Sequence, residues 1–372
     1  MKTDDEGFLY PYIDDKNCVN CGMCERVCPQ LHPNEARVPL GVYAAKAKDD
    51  ALRMNSSSGG MFSLLSKAVL SRGGIVFGAA FDHGDWHVFH KSVDNEVGLA
   101  ELRGSKYVQS DMGDCYTTVA MCLLKGEEVL FSGTPCQIAG LRNYLLTRHD
   151  LSVEKLLLVE VVCHAVPSPF AWRRYLMSRV KSAYHLFKGT EVCGRISNVS
   201  FRWKICGCRS SMCYIEFVNG EKYLTEAQRD PFMRGFFSKL YDRPSCHACA
   251  CRNLRSGADL SIGDYWGVAT RFPDFDDDKG TSLVLVNTEK GHTAFLQVSH
   301  QCCFVTSDLA HAIIKNPQVV RSPIAHKNRA RFFKFLDSKD FDHNVVALLK
   351  PSFYLRMRIL CGKFLRACGL GE

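Results

Sequence analysis

The chain has 372 residues, enough for two or three domains with a real core, and 46% hydrophobic against 23% charged residues is ordinary globular composition. The formal charge of +8 is scattered rather than gathered into one basic block, which argues against a nucleic-acid role. Residues 1–6 are acidic with no apolar run behind them, so no signal peptide is expected; no run approaches the roughly 18 apolar residues of a membrane helix, and the expected location is cytoplasmic. Nineteen cysteines, an odd and large number, point to metal or redox chemistry rather than a disulfide framework.

The first motif is Cys18-Val-Asn-Cys21-Gly-Met-Cys24-Glu-Arg-Val-Cys28-Pro29. Its spacing, C-x2-C-x2-C-x3-C-P, is that by which bacterial ferredoxins hold a 4Fe–4S cluster. Zinc sites instead use two separated ligand pairs. In two-cluster ferredoxins the fourth cysteine of such a run serves the other cluster, and no second run of this kind is present here. Residues 1–36 are therefore expected to form a small ferredoxin-type module, with Phe8, Tyr10 and Tyr12 as candidate shields of its cluster.

Ser56-Ser57-Ser58-Gly59-Gly60 precedes a helical pattern over 61–70, and a buried strand is predicted over 75–81. A Ser/Gly loop opening a helix suits a phosphate, although a plain N-cap explains it equally. Residues 82–97 read as a hairpin excursion whose His83, His87 and His90 mark a half-exposed strand rather than a metal site. Arg103-Gly104-Ser105-Lys106-Tyr107 offers cations, a hydroxyl and a ring able to grip an anionic planar cofactor, or forms a solvated turn.

A helix over 116–125 and a strand over 128–131 lead to Cys136, at a strand-to-helix turn where a helix N-terminus lowers thiol pKa. A strand over 156–162 runs into Cys163-His164 and a helix over 170–180. Recurring strand, turn and helix predict α/β organisation, with Cys136 and Cys163 together at the carboxyl edge of the sheet.

Strands over 199–204 and 214–217 flank Cys206, Cys208 and Cys213, and Asn219-Gly220 signals a hairpin. Cys246-His-Ala-Cys249-Ala-Cys251 is too compact to hold a cluster alone and needs partners such as Cys136 and Cys163; a zinc knuckle is the alternative. A strand over 258–262 delivers Gly263-Asp264-Tyr265-Trp266-Gly267, which reads as a site wall. Residues 277–280 read as a surface turn before a buried strand over 282–286. From His326 the chain turns basic and helical, and residues 348–370 could dock on a membrane surface or a partner, or pack on their own domain.

Taken together, Cys18 to Pro29, Ser57-Ser58-Gly59-Gly60, Arg103 to Tyr107, Gly133-Thr134-Pro135-Cys136-Gln137, Cys163-His164, Cys246-x2-Cys249 and Gly263 to Gly267 occur in an order that resembles the β-subunit family of coenzyme F420 hydrogenases and dehydrogenases. The resemblance implies FAD on an α/β body fed by iron–sulfur clusters, one or two of the 4Fe–4S type. Carried over by position, Ser58, Gly59, Gly60, Arg103, Gly104, Ser105, Lys106 and Tyr107 would contact the flavin. Cys18, Cys21, Cys24 and Cys28 would hold the module's cluster, and Cys136, Cys163, Cys246 and Cys249 the body cluster, with Cys251 as alternate. Three departures stand out. The first of the family's two cysteine runs is absent, so either the start is truncated or the module holds one cluster. Ala165 stands where the family commonly has glycine, and the segment 205–208 is unusual.

The expected architecture is a small ferredoxin-like N-terminal module on a larger α/β body, with a central, largely parallel or mixed sheet flanked by helices. The expected divisions are 1–36, a first half of the flavin-binding body over 50–190, a second half with the later cysteines over 191–325, and a basic helical tail over 326–372. The expected activity is electron transfer between the ferredoxin-type cluster, a body cluster and FAD, with hydride exchange with a small acceptor. A redox partner protein or ferredoxin is expected, and peripheral membrane contact only through the tail. No catalytic acid or base stands out beyond His164 and Asp264. The alternatives are a non-catalytic electron-carrier protein docking on an enzyme, and a zinc-bearing structural or nucleic-acid-binding protein.

Overall fold

The computed structural model describes residues 1–184 and 194–350, so most of the basic tail, and the membrane contact expected of it, lies outside the described residues. In chain order the strands are β1 (Lys2–Thr3), β2 (Leu9–Tyr10), β3 (Gly41–Ala47), β4 (Ile75–Phe81), β5 (Val88–Val93), β6 (Ser110–Asp111), β7 (Val129–Gly133), β8 (Leu156–Val161), β9 (Ile196–Trp203), β10 (Met212–Phe217), β11 (Lys222–Glu226), β12 (Leu260–Asp264), β13 (Ser282–Val286) and β14 (Cys302–Thr306).

Among the described residues, nine strands form one sheet in the order β14-β3-β13-β12-β8-β7-β4-β5-β6. Its centre, β12-β8-β7-β4, is parallel, while β14-β3-β13-β12 and β4-β5 pair antiparallel. The α/β architecture with a mixed sheet is thus as the sequence implied. One sheet takes strands from both sides of residue 190, and β3 precedes the expected start of the body at residue 50.

Alternation along the central strands builds two cores. Val76, Leu130, Leu157, Val159 and Leu260 face helices Met61–Leu70, Glu96–Leu102 and Glu289–Ser299. Phe77, Val129, Phe131, Leu156 and Leu158 face helices Cys115–Leu124 and Pro135–Leu146. A third, aromatic core joins helix Pro169–Ala183 and the β11-β10-β9 sheet to helices Pro231–Phe237 and Phe341–Leu349, through Trp172, Tyr175, Phe201, Phe232 and Tyr241. This antiparallel sheet, joined at the Asn219-Gly220 turn, forms one flank of the site. No helix among the described residues is long and apolar enough to cross a membrane.

Candidate functional site

β7 and β8 are adjacent and parallel, so their carboxyl ends lie side by side. Past β7, Gln137 Oε1 accepts the Thr134 amide at 2.9 Å, fixing the start of helix Pro135–Leu146 and with it Cys136. Past β8 comes Cys163, whose carbonyl accepts from Arg252 Nη1 at 2.7 Å. The short helical turn Pro244–Ala248 carries Cys246, and the Cys249 amide donates to Ser322 Oγ at 3.1 Å. Cys28, Cys136, Cys163, Cys246, Cys249 and Cys251 all line one cavity of about 1650 Å³. That volume exceeds the roughly 300–1,000 Å³ of an ordinary small-molecule pocket.

Burial governs these thiols. It pushes Cys163 up to about 12 and also raises Cys136 and Cys246. The lowering expected of Cys136 from its helix N-terminus is therefore overturned: its sulfur opens into the cavity, but the surrounding walls desolvate the thiolate more than the helix end favours it. Cys249 is lowered, foremost by a hydrogen bond with Cys251, which is raised in turn. Metal capture by these groups must expel protons. Among the described residues no three cysteine sulfurs lie within 4.8 Å of one another. Sulfurs on one tetrahedral zinc, each about 2.3 Å from the metal, would be closer, at about 3.8 Å. The spread suits ligands at the corners of a cluster. The ligand atoms that do gather for a single ion belong to Asp82, Asp85 and His87, none of which lines the cavity.

Cys18, Cys21 and Cys24 are exposed and Cys28 is half-buried. Gly22, at φ 68°, turns the loop into the short helix Met23–Arg26, and Arg26 Nη1 donates to the Cys21 carbonyl at 2.8 Å. The loop is tied to the body: Asn143 Nδ2 donates to the Val27 carbonyl at 3.2 Å and Gln30 Nε2 to the Ala248 carbonyl at 3.1 Å. That second bond joins the early cysteine run to the later one. Of the three expected shielding rings, Phe8 is fully buried in the body, Tyr10 lines the cavity with the Arg243 guanidinium 4.3 Å from its ring, and Tyr12 is exposed.

The wall away from the cysteines carries the Ser/Gly loop and the Arg103 segment. Ser58, Gly60 and Arg103 to Tyr107 line the cavity. Gly59 lies behind that wall, where a Cβ would meet the Ala45 carbonyl at 2.4 Å and the Ser282 amide at 2.6 Å. The two segments lock together, the Ser105 amide donating to Ser57 Oγ at 2.7 Å. Lys106 Nζ turns back to the Glu101 and Arg103 carbonyls at 2.8 Å, and burial lowers its pKa to about 7. Tyr107 packs on Phe201 and Phe236.

Asp264 and Trp266 line the cavity as the sequence implied, while Tyr265 is buried behind them. Arg202 is a wall residue that the sequence reading missed. Its guanidinium lies 4.9 Å from the Trp266 ring centre and 3.2 Å from Asp264. No local motif marks it, because the hairpin of another sheet brings it there. Cys206, Cys208 and Cys213 do not line the cavity, but Cys208 Sγ lies 3.3 Å from Arg202. His164 also lines the cavity, and burial among Lys239, Arg252 and Arg202 lowers it to about 4, leaving it neutral. Seven cationic residues line the space (Arg103, Lys106, Arg202, Arg209, Arg234, Lys239, Arg243) against three acidic ones (Asp111, Glu226, Asp264), which favours an anionic occupant.

Comparison with known proteins gives three findings. Residues 126–311, half of the chain, match the family described as the C terminus of the coenzyme F420 hydrogenase/dehydrogenase beta subunit. A relative described as the F-type subunit of F(420)H(2) dehydrogenase, from Methanosarcina mazei, is 22% identical over 284 residues, covering 75% of this chain and 69% of the relative. A chain in a xenon-derivatised structure of the F420-reducing NiFe hydrogenase complex from Methanosarcina barkeri is 17% identical, with a TM-score of 0.48 over 84% of this chain and 92% of that one.

Proposed function

Because the chain belongs to the coenzyme F420 hydrogenase/dehydrogenase beta-subunit family, an iron–sulfur oxidoreductase family, we propose that it is an iron–sulfur flavoprotein subunit with FAD in the central cavity. The observation that carries this reading is the shared cavity: six cysteines line it together with the Ser57 to Gly60 loop and the Arg103 to Tyr107 segment. Bound there, clusters supply one-electron transfer and a flavin supplies hydride transfer.

In this reading Cys136, Cys163, Cys246 and Cys249 hold a body cluster, with Cys251 as alternate ligand. Cys18, Cys21, Cys24 and Cys28 hold a 4Fe–4S inlet cluster. Ser58, Gly60 and the Arg103 segment grip the flavin, and Gly59 allows the close approach of the loop to β3 and β13. Tyr10 and Trp266 restrict water, each stacked on an arginine. The exposed Cys18 to Cys24 face, with Val19 and Met23 beside it, is where a ferredoxin or another redox partner would approach. A small acceptor would enter the cavity beside the flavin.

The test is iron, acid-labile sulfide and flavin content after anaerobic purification. Bound flavin is expected, with iron and sulfide for two clusters; Cys136→Ala should lose the body iron and keep that of the Cys18 loop. Colourless protein carrying zinc alone would sink the redox reading, and Cys136→Ala with its full iron would sink the ligand assignment.

A further inference from the structure

The loop at 57–60 can offer amides to an anion only if its carbonyls face elsewhere. They do. The Ser57 carbonyl accepts from Arg202 Nη2 at 3.4 Å, the Ser58 carbonyl from Lys204 Nζ at 2.6 Å and the Gly59 carbonyl from the Ala47 amide at 2.8 Å. Among the described residues the Ser58, Gly60 and Met61 amides have no partner, and all three residues line the cavity. These amides open a ten-residue helix, Met61–Leu70, whose dipole adds to their pull on an anion. A second feature points the same way. Arg202, 9% exposed, lines the cavity beside the loop, and its Nε has no hydrogen-bond partner.

Lys204 makes the shortest of these holds. It is 3% exposed, and its ammonium directs all three donors to backbone carbonyls: Arg53 at 2.9 Å, Ser58 at 2.6 Å and Lys279 at 2.9 Å. A buried ammonium is tolerated only with its donors satisfied. Its place is prepared by Gly280, where a Cβ would lie 2.7 Å from both Lys204 Nζ and the Ser58 carbonyl oxygen. Arg53, in turn, is clamped by Asp277 and the Gly280 carbonyl.

We propose that Lys204 is the positioning residue of an anion subsite: by drawing the Ser58 carbonyl out of the cavity, it leaves the Ser58, Gly60 and Met61 amides free for a pyrophosphate-class group. The identity of that group as the pyrophosphate of FAD rests on the function proposed above; the anion subsite itself does not.

The test is calorimetric titration of the full chain, iron-loaded and stripped of flavin, with inorganic pyrophosphate, FAD and riboflavin. Lys204→Met is expected to weaken pyrophosphate and FAD roughly 10- to 100-fold, the range for losing a charge-assisted hydrogen bond. Riboflavin affinity and iron content should stay as in the wild type, because neither needs the amides. Lys204→Gln, which keeps a donor, should fall between, and it carries the test if the methionine variant does not fold. Variants that bind pyrophosphate like the wild type, or that lose riboflavin and iron in proportion, would overturn the inference. So would wild-type protein that ignores pyrophosphate, whatever it does with FAD. Wild-type protein that takes pyrophosphate but not FAD would uphold the subsite and sink the flavin reading.

Discussion

Ala165 follows the cavity-lining pair Cys163-His164 and holds φ at 124°, a backbone conformation that favours glycine. The sequence marks this position as one where the resembling family commonly has glycine; the structure gives the physical meaning of that departure. Ala165→Gly should stabilise the fold by about 1–3 kcal/mol, the usual size of such strain, as read from urea unfolding. Asp242 is a second case that no motif announces. It is fully buried, neither carboxylate oxygen has a hydrogen bond, and Lys239 Nζ stands 3.8 Å away. Burial raises its pKa to about 7 despite Lys239 and Arg329. A carboxyl raised on folding binds more protons in the native than in the unfolded state, so its contribution to stability falls as pH climbs from about 4 to about 7. Asp242→Asn should therefore gain stability over the wild type at pH 8, on the order of 1–3 kcal/mol, and much less at pH 4.5. An equal gain at both values would show that Asp242 is ionised throughout.

The long elements were legible in the sequence because each satisfies its own period. The helix over 61–70 and the strands over 75–81 and 282–286 occupy the predicted residues, and the Asn219-Gly220 turn joins β10 to β11. What was not legible depends on distant partners. The turn at 277–280 reads as a surface loop, yet Asp277 and Gly280 hold Arg53, and Lys279 holds Lys204, which in turn holds the Ser58 loop. The N-terminal hairpin is similar. Phe8 reads as a ring beside a cluster, but it is an anchor at 0% exposure, and Arg329 pairs with Glu6 next to it. Phe8→Ala should cost about 3–5 kcal/mol, the usual penalty for emptying a buried phenylalanine site, measured by denaturant unfolding. A cost under about 1 kcal/mol would mean that the hairpin is not held by its ring.

At the scale of the whole molecule, a parallel centre in a mixed sheet brings turns far apart in sequence to one edge. Cys136 and Cys163 were expected to be neighbours on topology alone, and adjacent β7 and β8 bring both to the cavity. The antiparallel flank could not be placed from the sequence, and with it Arg202 and Lys204 escaped notice, because strand period says nothing about which cavity a hairpin closes. The Gln30 bond to Ala248 sets the early cysteine run against the later one, which makes the Cys18 loop an inlet rather than an independent module. The most direct measurement is anaerobic rapid mixing with reduced ferredoxin, following the absorbance of bound flavin in the wild type and in Cys21→Ser. The account predicts rapid bleaching in the wild type, and in the variant a loss of bleaching by ferredoxin while dithionite still bleaches. Bleaching of the variant by ferredoxin at the wild-type rate would contradict it.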